Sequence, residues 1–305
     1  MGDFMAIKVE IGKKIRHARI SRNLTQADIC DDEAELTIRQ LARIENGQAM
    51  ATIPKLLFLS QKLGIQLQDL VDVSKVEIPN RYLVLKNKLI KFHTYGDEER
   101  IAQQEAMFDE IYNDFYDNLP EEEQLLVEVL QAQANIFSSQ DAGFGEGLLE
   151  EYFHQILKKK RYSYNDLLII NIYFMCCIMG LEDNSYVEEL SQKVLLHIDY
   201  GDTERLYLLE RILINILVQA NPKDYLIYIN VLREIIEEST NYQHKPVVYA
   251  FEAKYYLEVE NDKEKVEELS DKAIAFAKML NDDILVKNLN MEKENDLARF
   301  YSRMN

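Results

Sequence analysis

The run LTIRQLARIENG at residues 36–47 places Ile38, Arg39, Gln40 and Arg43 on what its apolar spacing predicts to be one short helix. An arginine guanidinium pairs bidentately with guanine O6 and N7, and a glutamine amide does the same with adenine. Carried in the first turns of a helix that enters a major groove, such side chains read base edges. A second set of cations lies upstream, where KKIRHARISR (13–22) gathers Lys13, Lys14, Arg16, Arg19 and Arg22. Lys13 and Arg16, on a basic face of that segment, suit phosphate oxygens. The chemistry is recognition of double-stranded DNA, with no bond made or broken.

Other candidate chemistries fade. His17, His93, His154, His197 and His244 lack metal-ligand spacing, so no metal and no cofactor is expected. No nucleophile–base pattern stands out, and an enzyme is not expected. GFGEG (143–147) resembles a phosphate loop by its letters alone; it follows no strand, lacks a lysine and reads as an interhelical loop. Cys30, Cys176 and Cys177 give no disulfide framework and no CxxC pair, which suits buried thiols in a reducing cytosol. The longest apolar run, LLIINIYFMCCIMG (167–180), is shorter than the ~20 residues that span a bilayer. With no signal-peptide pattern at the N-terminus, a cytoplasmic protein without a membrane partner is expected. The EEE run at 121–123 reads as a solvated helix start favoured by the helix dipole.

The elements that must position Arg39 are helices. With 47% hydrophobic residues and only 10 Gly and 5 Pro in 305, the chain reads as all-α. Five short helical segments fill the first 72 residues. Ile7, Ile11, Ile15 and Ala18 form an apolar row in the first, and Thr25 caps TQADICDD. Thr37 caps the helix carrying Arg39, with Leu41 and Ile44 inward and Gly47 just past its end. Pro54 opens PKLLFLSQKLG, and LQDLVD is the fifth. A connecting helix follows Pro79, with Tyr82, Leu85, Leu89 and Phe92 on one face. About ten amphipathic helices follow from residue 98. Starts near 146, 184 and 222 recur every 38 residues, a period that suits stacked helix pairs. Expected domains are therefore 1–73, a connecting helix at 74–97, and helical repeats at 98–305, with 282–303 as a C-terminal cap.

Charge divides along the same line. Residues 1–75 hold 11 Lys and Arg against 10 Asp and Glu, a balance of +1. The rest holds 24 against 43, or −19, so a locally basic unit is attached to a large acidic one.

The features IGKKIR, LTQ, RIENG, the Pro54 start and KLG together resemble the Xre/Cro-type helix-turn-helix family over roughly residues 7–72. That resemblance implies a phosphate contact for Gln26 and docking of Thr37 and Ile38 beside the groove. The acidic connector CDDEAEL (30–36) departs from the pattern by one extra residue. Beyond it, IPNRYLVLKNKLIKFHTYGDEERI (78–101) and the acidic helical remainder resemble the Rgg family of peptide-sensing transcription regulators, nearest its ComR-like branch. DKAIAFA (271–277) resembles the second helix of a tetratricopeptide repeat. The family resemblance implies a cytosolic regulator of competence or quorum sensing. It would be activated by a short hydrophobic Trp-containing peptide and bind an inverted-repeat promoter site as a homodimer.

From the residues themselves, Asn171, Asn215 and Asn230 interrupt apolar helices and suit a peptide backbone. Tyr173, Phe174, Tyr207, Tyr228 and Tyr249 suit either pockets for peptide side chains or core packing. The charge split and the short connection suggest autoinhibition, with Glu98, Glu99, Asp109 or Asp114 holding the DNA-reading helix. Two other readings stay open: a constitutive repressor whose repeats only dimerise, and a protein-interaction module that sequesters a partner. If Arg39 reads a base, Arg39→Ala is expected to cost about 1–3 kcal/mol on the specific site and to relax specificity there. Anisotropy titrations over several DNA sequences and salt concentrations check this, since a phosphate contact would instead weaken all sequences alike and flatten the salt slope.

Overall fold

The computed structural model describes residues 2–70 and 78–304, with side chains from residue 8 except 68, 69, 303 and 304. The expected boundary at 73/74, the last two residues of LQDLVD and the side chain of Ile7 lie outside the described residues. The described chain is all-α. Its helices are α1 (Gly2–Ile20), α2 (Gln26–Cys30), α3 (Ile38–Glu45), α4 (Ile53–Leu63), α5 (Leu67–Leu70), α6 (Asn80–Lys91), α7 (Glu98–Asp114) and α8 (Glu121–Ser139). They continue with α9 (Gly143–Lys158), α10 (Tyr164–Ile178), α11 (Val187–Leu195), α12 (Thr203–Gln219), α13 (Tyr225–Ser239), α14 (Lys245–Tyr255), α15 (Lys263–Met279) and α16 (Asp283–Met304).

The chain forms two compact units. The first comprises residues 1–92, 101–135 and 143–169, and the second residues 93–100, 136–142 and 170–305. Within the first, α1–α5 enclose a core of Ile11, Ile15, Leu36, Leu41, Ile44, Leu56, Leu59 and Leu63. Both expected caps form. Thr25 and Asp28 make one capping box at α2, and Thr37 and Gln40 make the other at α3. Gly47 (φ 67°) and Gly64 (φ 62°) take the left-handed positions that follow α3 and α4.

Within the second unit, α12 to α16 pack each on the next, the nearest-neighbour pattern of helical repeats. Buried rows such as Leu209, Ile212, Leu213 and Ile216 on α12 and Ile229, Leu232 and Ile236 on α13 hold them together. On α15, Val266, Leu269, Ala273, Ile274 and Ala277 are buried, while Phe276 is half-buried.

Two expectations change. GFGEG is no loop, because α9 starts at Gly143 and runs through it. The stripe Leu149, Tyr152, Phe153 and Ile156 that follows supplies enough burial to carry the helix through glycines placed in its first turn. The starts of α9, α11 and α13 (143, 187 and 225) therefore lack a uniform 38-residue spacing.

Gly12 marks the closest approach of α1 to α3. A Cβ there would stand 2.2 Å from the Ile44 carbonyl oxygen and 3.1 Å from that of Glu45. Alanine ordinarily gains about 1 kcal/mol over glycine inside a helix, but a backbone clash of this depth outweighs it. Gly12→Ala is expected to destabilise the N-terminal unit by about 1–3 kcal/mol, read from its guanidinium unfolding transition.

Candidate nucleic-acid interface

α3 is fixed from both ends. At its start, Gln40 Oε1 accepts from the Thr37 amide at 3.1 Å, and the Gln40 amide donates to Thr37 Oγ1 at 3.1 Å. At its end, Glu45 is buried, an unfavourable place for an anion against the helix dipole. Arg19 answers it with a bidentate pair, Nε to Oε1 at 2.6 Å and Nη2 to Oε2 at 2.7 Å. The hydrogen bond to Glu45 raises the Arg19 pKa, and burial opposes it only in part. Gln26 Nε2 donates to the same Glu45 carboxylate at 2.9 Å.

These contacts reassign two expected DNA-contacting residues. Gln40 is 3% exposed and serves as the N3 member of the cap, so its amide is not presented to a base. Gln26 turns to Glu45 in place of a phosphate. Thr37 is buried as the cap itself. Ile38 and Arg39 are exposed on the first turn, and Arg43 is half-buried one turn on. Lys13 and Arg16 lie exposed on α1, without an ion pair among the described residues.

Within the same compact unit, an acidic surface meets this face. Arg39 Nη1 lies 3.2 Å from Glu151 Oε2, the arginine 70% and the glutamate 12% exposed. Three positions of α9 at i, i+4 and i+7 work together. Glu151 takes Arg39, Gln155 Nε2 donates to the Ala34 carbonyl at 2.8 Å, and Lys158 Nζ donates to the Asp32 carbonyl at 3.3 Å. One side of α9 thus lies along the acidic connector and the start of α3. Burial works against the Arg43 charge, but its neighbours Tyr152, Glu128, Glu121 and Tyr116 outweigh burial and raise its pKa.

Each of the three glutamates of the EEE run is engaged by specific partners. The Glu121 amide donates to the Met50 carbonyl at 2.6 Å, and its carboxylate, 2% exposed, takes Lys55 Nζ at 2.8 Å. Glu122 Oε1 accepts from Thr52 Oγ1 at 3.0 Å. Glu123 accepts from Tyr82 Oη at 2.5 Å and from Lys86 Nζ at 3.0 Å. On the far side of this surface, Lys8 Nζ donates to the Asp117 carbonyl at 2.6 Å.

The acids named from sequence are placed differently. Asp109 and Asp114 are exposed on α7, and among the described residues neither pairs with Arg39 or Arg43. Glu98 and Glu99 sit exposed in the first turn of α7. The acids that face α3 and α4, Glu151, Glu121 and Glu122, carried no local signal, because their partners lie 66 to 112 residues away in sequence.

The expected peptide contacts lie in the second unit. Asn171 (2% exposed) and Asn215 come together, Asn215 Nδ2 donating to Asn171 Oδ1 at 2.8 Å. Tyr173 and Phe174 are buried, and the Tyr173 hydroxyl accepts from the Tyr186 amide at 3.1 Å. Tyr228 is buried as well, so these three rings are core. Tyr207 and Tyr249 are half-buried, Tyr249 packing against the cluster of Ala273, Ile274, Ala277, Leu285 and Leu289, and exposed Asn230 accepts from Arg233 Nη1 at 3.2 Å.

The comparisons agree with this architecture. A helix-turn-helix domain model matches residues 12–76, and the ComR tetratricopeptide model matches residues 79–293. The chain is similar to the ligand-free competence regulator ComR of Streptococcus vestibularis, at 37% identity over 95% of this chain and 99% of that one (TM-score 0.81). Ligand-free ComR of S. thermophilus matches at 32% identity over 95% and 99% (TM-score 0.83). ComR of S. thermophilus in complex with DNA and its signalling peptide ComS matches at 33% identity over 94% and 99% (TM-score 0.67). Comparison with the curated proteins gives no match.

Fold and site thus define a class, a helix-turn-helix unit borne on a tetratricopeptide-like helical array. Within that class, the chain belongs to the ComR family.

An exposed ion pair is worth about 0–1 kcal/mol. Glu151→Gln is therefore expected to raise DNA affinity in the absence of peptide by no more than about fivefold, measured by anisotropy. Asp109→Lys and Asp114→Lys serve as controls, adding only general attraction to phosphate that 0.3 M salt removes, whereas the Glu151 effect leaves the salt slope almost unchanged.

Proposed function

We propose that this chain is a peptide-responsive transcription regulator that binds a specific double-stranded DNA site through α3. The reading is carried by one observation. Arg39, exposed on the first turn of a helix anchored at both ends, has its guanidinium on an internal carboxylate, Glu151, that takes the place a DNA acceptor would occupy. Family membership supports it, since ComR of S. thermophilus was solved with DNA and its signalling peptide, and that of S. vestibularis with its cognate signalling peptide.

Ile38, Arg39 and Arg43 meet base edges, and Lys13 and Arg16 meet phosphates. The helical repeats take a short hydrophobic Trp-containing peptide, with Tyr207, Asn215, Asn230 and Tyr249 as the accessible members of the candidate set. Peptide binding favours the form in which Arg39 and Lys55 leave their carboxylates, and it can do so only through a preference for that form. The released protein binds an inverted repeat as a homodimer, with half-sites one helical turn or a multiple of it apart. Residues 1–73 act as the DNA-binding domain, 74–97 as the connector and 98–305 as the sensor. Among the described residues, no helix is long and apolar enough to cross a membrane. The proposed place of action is the cytoplasm.

The test is anisotropy of a labelled inverted-repeat promoter fragment, titrated with and without a Trp-containing hydrophobic peptide from a reading frame beside the gene. At least tenfold tighter binding with peptide is expected. Equal binding across a panel of such peptides would identify a constitutive regulator, and no binding in any arm would identify a protein-interaction module.

A further inference from the structure

Residues 93–100 run from the end of α6 into α7 and belong to the second compact unit. The segment carries two consecutive left-handed residues, Tyr95 (φ 49°) and Gly96 (φ 78°), so a specific set of contacts must hold it in place. Arg100 takes Asp282 at 3.0 Å and donates to the His93 carbonyl at 3.2 Å. Tyr95 packs against the buried cluster of Ala273, Ile274, Ala277, Leu285 and Leu289. The third fastening is a chain of titratable groups. His93 Nε2 lies 2.7 Å from His244 Nε2, and His244 Nδ1 lies 2.7 Å from Glu210 Oε2.

Glu210 is fully buried. Ser239 Oγ donates to its Oε1 and Asn241 Nδ2 to its Oε2, each at 2.7 Å. With these donors on both oxygens, an ionised Glu210 makes His244 an Nδ1–H tautomer. His244 Nε2 is then an acceptor, and His93 must supply the hydrogen between the rings. Two zinc ligands at ~2.1 Å in a tetrahedral site would hold their nitrogens roughly 3.3 Å apart, so the 2.7 Å separation has room for a proton and not a metal ion.

The geometry points to a proton-controlled fastening in which Glu210, His244 and His93 share one titrating proton and grip residues 93–97 more tightly when it is bound. The added proton completes a carboxylate–imidazole–imidazolium chain with two charge-assisted hydrogen bonds. Alternatively it settles on Glu210, which then donates to His244 Nδ1, while His244 Nε2–H donates to His93 Nε2 and the hydrogen on His93 moves to Nδ1. Both arrangements contain the same atoms and charge, so the three groups titrate as one.

The charged and titratable groups around the cluster are few. α12 presents Arg211 beside Glu210, and the 93–100 segment presents Tyr95 and Arg100. Asp282 is engaged by Arg100, and Lys245 of α14 turns away to Glu237 of α13. Burial pushes Glu210 up to about 7 and pushes His244 down to about 3. A carboxylate raised in the fold contributes stability below its ordinary value, and that stability is lost as pH rises through about 7. His244, lowered in the fold, contributes stability above its ordinary value that is lost only as pH falls through about 3. Loosening therefore comes on the alkaline side of neutrality.

Hydrogen exchange of the full chain at pH 6 and pH 8, corrected for intrinsic rates, tests this. Protection within 93–100 is expected to fall about tenfold between the two, as one bound proton requires. In Glu210→Gln the two pH values should give equal protection. His93→Gln, altering a half-buried side chain, should leave the segment poorly protected at both while 239–244 keeps its pH dependence. Ring-nitrogen spectra at pH 8 should show His244 as the Nδ1–H tautomer and His93 as Nε2–H. Equal wild-type protection at both pH values, pH dependence surviving in Glu210→Gln, or an Nε2–H His244 at pH 8 would each overturn the proposal.

Discussion

A buried carboxylate at the C-terminal end of the DNA-reading helix governs the N-terminal unit. Glu45 sits where the helix dipole disfavours an anion, and both Arg19 of α1 and Gln26 of α2 are turned inward to satisfy it. Removing one partner of such a pair costs about 3–5 kcal/mol, because the other charge stays buried and unmatched. The same contact therefore fixes the angle at which α3 stands against α1 and α2. It also removes Arg19 from the apparent basic surface, leaving Lys13, Lys14, Arg16 and Arg22 as its outward members.

The acidic bulk of the chain answers to the basic unit in a more local way than net charge suggests. Contacts to residues 34–55 come from two short stretches, the start of α8 and one side of α9. Each is modest. The Arg39–Glu151 pair, with its arginine largely in solvent, is worth about 1 kcal/mol, and Lys158 touches a carbonyl. The Lys55–Glu121 pair, with both groups largely buried, is the more costly to break. A hold spread over several weak contacts lets a ligand with a few kcal/mol of preference shift the balance, which a single deep ion pair would resist.

The parts legible in the sequence were those set by local rules. Thr37 capping α3, Gly47 ending it, the inward Leu41 and Ile44 and the Tyr82–Leu85–Leu89 face of α6 follow from spacing within a turn or two. What failed depended on partners far along the chain. Glu121 and Glu123 look like solvent-facing residues of a helix start until Lys55 and Tyr82 arrive. His93 and His244, 151 residues apart, show nothing of their contact in either neighbourhood. The burial of Gln40 corrects its expected exposure for a local reason: a cap at Thr37 implies a capping-box partner at N3, and that residue is Gln40.

That last correction bears on how the protein selects DNA. With Gln40 held in the cap and Gln26 on Glu45, the proposed candidates for direct readout on α3 are the less buried Ile38, Arg39 and Arg43. An arginine favours guanine O6 and N7, and an isoleucine methyl suits the thymine methyl group. Three such contacts per half-site, at about 1–3 kcal/mol each, reach only the lower part of the discrimination that specific DNA binding commonly shows unless all are strong. The rest has to come from doubling the half-site and from DNA shape sensed through phosphate contacts. Dimerisation would then be part of sequence recognition itself, since a lone α3 of this composition reads too few bases to define a promoter.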